Sequence, residues 1–92
     1  MMNKTDIMFT FERVAKVREN LEQRTDAELT EIVNNAVGFF KNLLNCHYGF
    51  SKQKGQLRKM KKEFIQEIEI EKKRKLAYEI LGRVLDLKRF VK

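Results

Sequence analysis

Between Leu29 and His47 the apolar residues recur with helical spacing. Leu29, Ile32, Val33, Ala36, Val37, Phe40, Leu43, Leu44 and His47 follow i, i+3, i+4 steps over five turns, which lays them along one face of an α-helix. Just upstream, Thr25-Asp26-Ala27-Glu28 has the form of a capping box. The Thr25 hydroxyl accepts from the Glu28 amide, and the Glu28 carboxylate reaches back to the Thr25 amide. Both acids suit the positive end of the new helix. At the far end Gly49 is placed for a left-handed cap, with Phe50 packing back on the last turn.

Three further stripes share this periodicity. Ile7, Phe11, Val14, Val17 and Leu21 mark a helix over 5–24. Ser51 can cap a third helix whose stripe is Leu57, Met60, Phe64 and Ile68. Ala77, Ile80, Leu81, Val84, Leu87 and Val91 form a fourth, offset from the third. Between them Ile68 and Ile70 alternate with Glu67, Glu69 and Glu71. That alternation is strand-like, but its neighbours are strong helix formers and a lone strand has no partner, so helix is predicted.

The expected class is all-α. A chain of 92 residues supports one core, hence one domain over 1–92. A single Cys cannot make an internal disulfide. Two architectures fit the stripes. In the favoured one the chain bends near 70–75 and closes a compact antiparallel bundle of three to four helices, over about 5–24, 26–47, 52–71 and 75–90. In the other, 52–90 is one helix about 58 Å long, whose overhanging stripe requires an oligomer such as a homodimer. Asn34, Asn35, Lys41, Asn42 and Asn45 lie off the stripe of the second helix, facing water or a partner, and so do Gly38 and Phe39. Gly38 either admits another backbone or is simply tolerated, and Phe39 is expected either at the surface as a protein contact or as part of a wide bundle face.

Charge is unevenly spread. The net charge is +7, yet residues 1–50 hold six Lys/Arg against seven Asp/Glu. Residues 51–92 hold fourteen against six. Lys52, Lys54, Arg58, Lys59, Lys61 and Lys62 occur together with no acid among them, and Lys72-Lys73-Arg74-Lys75 lie ten residues further on. On the third helix Lys54, Arg58, Lys61 and Lys62 fall on one flank of the apolar stripe, opposite Glu63 and Glu67. A cationic ridge on a rigid element suits a phosphate backbone, and the second run lengthens the footprint. About six contacts would give a log–log salt slope near −5 on duplex DNA. Tyr48 and Phe50, just before the ridge, are candidate stacking platforms. The polar start Ser51-Lys52-Gln53-Lys54-Gly55-Gln56 has the character of a recognition helix. The long second helix does not fit a helix-turn-helix, so backbone or shape recognition is expected.

Residues for chemistry are few. Cys46 and His47 are neighbours about 100° apart on a helix and do not face each other. No further Cys or His exists to complete a metal site. Glu67/Glu71 and Glu69/Lys73 have surface i, i+4 spacing, and Arg18 reads as a cation whose stem rests on the core edge. No phosphate-binding Gly loop or nucleophile elbow occurs. The expectation is a non-enzymatic protein without cofactor or metal. Its partner is DNA, RNA or a nucleoprotein complex, or alternatively an acidic protein that it serves as adaptor, inhibitor or immunity-type factor. A helical bundle resting on an anionic membrane surface is a third reading, disfavoured because the apolar faces are committed to a core. The chain has no apolar run of about 20 residues to span a membrane and no recognisable signal peptide, which with one free thiol points to the cytoplasm.

Overall fold

Each stripe becomes a helix, and the first and third end before their expected bounds. The computed structural model describes residues 4–46 and 51–90. Four α-helices make up most of it: α1 (Lys4–Glu19), α2 (Asp26–Cys46), α3 (Ser51–Gln66) and α4 (Ile70–Asp86). Short 3-10 turns cover Leu21–Gln23 and Leu87–Phe90, and no strand occurs among the described residues. The fold is an all-α bundle.

The 5–24 helix ends early. Asn20 donates its side-chain amide to the Lys16 carbonyl and its backbone amide to Val17. Asn competes well for local backbone groups, and here it stops the α-ladder. Leu21 still reaches the core, at 4% exposure, from the 3-10 turn. The capping box forms as its spacing requires. Glu28 donates its amide to the Thr25 hydroxyl at 3.2 Å, and Thr25 donates its amide to the Glu28 carboxylate at 3.2 Å. Arg24 adds an ion pair to Glu28. These partners, the Thr25 amide first, hold the Glu28 carboxyl below its ordinary value.

The link between α3 and α4 settles the architecture. The helix breaks at Glu67-Ile68-Glu69, slightly before the expected 70–75 bend, and the fused helix over 52–90 does not form. The longest dimension is 37 Å, well short of the roughly 58 Å such a helix needs. Neither Gly nor Pro marks the break. Its cause is phase: in an unbroken helix Ala77, Ile80 and Val84 would point roughly 180° away from Leu57 and Phe64. Folding back brings both stripes into one core. Glu67 supports the turn, its carboxylate accepting from the amides of Ile68 and Glu69, both at 3.1 Å. Ile68, expected in the α3 stripe, is expelled instead and lies 96% exposed.

Packing centres on α4, which each of the other three helices contacts. Ala77, Ile80, Leu81 and Val84 are sealed at or near zero exposure, against Phe11, Leu29, Val33, Leu57 and Phe64. Phe39 is buried as well, which fits the wide bundle face and not the surface contact. Its ring meets Phe11 edge-on, with centroids 5.1 Å apart and planes at 79°, a favoured aromatic geometry. A Cβ at Gly38 would meet nothing within 4 Å, so no backbone approaches there. Gly82 differs. Arg18 lays its guanidinium across it, 3.7 Å from the Tyr78 ring centroid, and donates Nε to the Tyr78 carbonyl at 2.9 Å. Arg18 thus clamps α1 to α4.

Candidate nucleic-acid interface

The two basic runs have different fates. In the second run Lys73 is buried at 7% exposure. Its ammonium pairs with Asp26 in the first turn of α2 and sits 4.8 Å over the Phe64 ring. Arg74 donates to Glu71 at 2.9 Å and to the Arg24 carbonyl at 3.2 Å. Lys72 pairs with Glu69 at 3.5 Å. Lys72 and Lys75 border a cleft that also holds Glu63, Glu67 and Glu79, on the acidic flank of α3. The run therefore does not extend the ridge: two members fasten helices together and two stand among carboxylates. Sequence spacing could not reveal this, because Asp26 lies 47 residues away.

The first run stays free. Lys54, Arg58, Lys59 and Lys62 are exposed and Lys61 is half-buried. None pairs with a carboxylate among the described residues. The side chain of Lys52, and Tyr48 and Phe50 entirely, fall outside the described residues. So do His47 and the Gly49 cap.

One residue joins the ridge from another helix. Lys41 of α2 borders the cleft between α2 and α3 together with Lys54, Arg58 and Lys61, over a floor of Val37 and Leu57. The geometry comes from spacing. Val37 and Lys41 are one turn apart on α2, while Lys54, Arg58 and Lys61 occupy i, i+4 and i+7 of α3. The cleft measures about 140 Å³. It carries four cations and no acid. Lys41 had a weak signal in the sequence, as a cation off the α2 stripe facing water or a partner.

Ile65 continues the same α3 stripe at i+11, and it is 61% exposed. The ridge thus runs from cations at the start of α3 to one apolar side chain, Ile65, at its end. Elsewhere, Thr10, Arg13, Val14, Ile32 and Phe39 border an apolar groove between α1 and α2. Among the described residues no three His, Cys, Asp or Glu side chains are grouped to hold a metal ion, and no helix is long and apolar enough to cross a membrane. Comparison with known proteins finds no matching family, no similar curated protein and no similar solved structure.

Proposed function

We propose that the protein is a small, non-enzymatic nucleic-acid- or ribonucleoprotein-binding subunit of the cytoplasm, gripping the phosphate backbone with Lys41, Lys54, Arg58, Lys61 and Lys62. The observation that carries this reading is the convergence of cations from two helices on one cleft whose lining contains no carboxylate. Such a cluster raises the energy of the free protein by mutual repulsion, and a polyanion relieves it. The cations project from packed helices, so their backbone needs no further ordering on binding and the cost is that of the side chains alone.

The test is a titration with duplex DNA, single-stranded DNA and RNA across a salt series. About five phosphate contacts give a log–log slope near −4.5 for duplex and about −3.5 for single strands. The variant Lys54→Gln/Arg58→Gln/Lys61→Gln/Lys62→Gln should lose binding and keep its helicity. Unchanged binding refutes the reading.

Docking on an acidic protein is the second reading, favoured by exposed Ile65 at the end of the ridge and exposed Ile68 in the adjoining link. A phosphate lattice has no use for two exposed isoleucines, whereas an acidic partner with apolar residues does. Under that reading Ile65→Ser/Ile68→Ser weakens partner binding, and nucleic acid binds no more tightly than to the ridge variant.

A further inference from the structure

The α2–α3 cleft is shaped differently from the rest of the ridge. Along α3 alone, cations succeed one another in a line, as backbone phosphates do. In the cleft, Lys41 faces Lys54, Arg58 and Lys61 from a second wall, over the apolar floor of Val37 and Leu57. Val37 is 6% and Leu57 is 2% exposed, so the floor offers no hydrogen bond and the rim supplies the recognition.

The charge arithmetic then selects the ligand. An internal phosphodiester carries one negative charge, and two of its oxygens are tied to the continuing chain. It must enter and leave a two-walled cleft. A terminal phosphate has one tether, carries about −1.5 to −2 at neutral pH and offers three acceptor oxygens. Four cations around one small volume match the second group, not the first. The cleft is small and open on one side, and a phosphate or pyrophosphate can enter it.

We infer that the cleft formed by Lys41, Lys54, Arg58 and Lys61 is a pocket for the terminal phosphate of a nucleic-acid strand, while Lys62 and the outer ridge hold the next phosphates along the strand. This inference rests on the backbone-binding reading. It adds that the protein prefers strand ends that carry phosphate. Comparing Lys41 with Lys62 separates the two roles, because Lys41 lines the cleft and Lys62 does not.

The experiment compares one short single strand in two forms, with hydroxyls at both ends and with phosphates at both ends, by titration calorimetry at fixed salt. Wild type, Lys41→Gln and Lys62→Gln are each measured, with circular dichroism and thermal melting confirming that all three are folded. Wild type and Lys62→Gln should bind the phosphorylated strand about tenfold more tightly, as expected for added charge-assisted hydrogen bonds. In Lys41→Gln the preference should vanish, while its affinity for the hydroxyl strand falls no further than that of Lys62→Gln. Inorganic pyrophosphate should raise the melting temperature of wild type above that in sodium chloride of equal ionic strength, as mass action requires of a ligand that binds the folded state.

Equal affinity of wild type for both strands, with salt-dependent binding intact, overturns the pocket and leaves the backbone reading standing. Failure of both strands to bind at low salt overturns both. Stabilisation by pyrophosphate with neither strand bound assigns the cleft to a free phosphate compound and overturns the strand end. Retention of the preference in Lys41→Gln overturns the pocket as drawn.

Discussion

Lys73 and Asp26 make an unequal pair, and removing one is not equivalent to removing the other. The Lys73 side chain is 9% exposed and that of Asp26 is 65%. Asp26→Ala leaves an ammonium in the core with only the Phe64 ring facing it. Stranding one member of a fully buried pair costs about 3–5 kcal/mol, and a surface pair is worth about 0–1. Asp26 is mostly in water, and the ring returns about 1 kcal/mol, so the cost should be near 2 kcal/mol. Lys73→Met keeps the apolar stem against Phe64 and Ala77 and returns Asp26 to solvent, so its effect should stay within about 1 kcal/mol of zero. For a chain of this size about 1 kcal/mol moves the midpoint by about 4–8 °C. Thermal and urea melts should therefore separate the variants by several degrees, with the double variant close to Lys73→Met alone. A Lys73→Met variant that loses as much as Asp26→Ala refutes the argument. The same variant also checks the interface: its salt slope on duplex DNA should equal that of wild type, whereas Lys62→Gln should lower it by about 0.9.

Other perturbations test other parts of the fold. Ile80→Ala, at a fully buried site on α4, should cost about 2–5 kcal/mol in urea melts. Ile68→Ala at the exposed turn should stay within about 0.5 kcal/mol; similar losses at both would show that the break is misplaced. A Cβ at position 82 would lie 2.6 Å from Arg18 Nη2, so Gly82→Ala should gain little in wild type. In an Arg18→Ala background it should gain about 1 kcal/mol from helix propensity, a coupling that a double-mutant cycle reads directly. The lowered Glu28 carboxyl gives an acid signature. Because its folded-state value lies below the unfolded one, its contribution is present above about pH 4.5 and is lost as pH falls through the folded value. Wild type should therefore exceed Glu28→Gln in melting temperature at neutral pH, with the gap closing in acid; a gap constant with pH excludes this account.

The parts of the fold legible in the sequence are those written in local spacing. The capping box at Thr25 and Glu28 and the stripe of α2 needed only neighbours three and four residues apart. The α3–α4 break was half legible. The offset between Phe64 and Ala77 announced it, but the position depended on which side chain could hold the turn, and Glu67 did so without any Gly or Pro. Phe39 stays ambiguous in the sequence because a strict stripe is narrower than the face α2 buries, and only the structure shows Phe11 reaching across to it. At the candidate interface the α3 cations were readable as a flank. The fate of Lys73 was not, since its partner is supplied by another helix. Lys41 was missed as a ridge residue for the same reason.

The three-residue link has an outcome that reaches beyond its own turn. Because Glu67-Ile68-Glu69 is not helical, it uncouples the angular phase of α3 from that of α4, much as a swivel frees one shaft from another. A residue added in the link would be taken up by the turn, where nearly every atom of Ile68 is wet. A residue added inside α4, just before Ala77, would instead rotate the rest of that helix by about 100° about its axis and turn Ala77 and Val84 off the core.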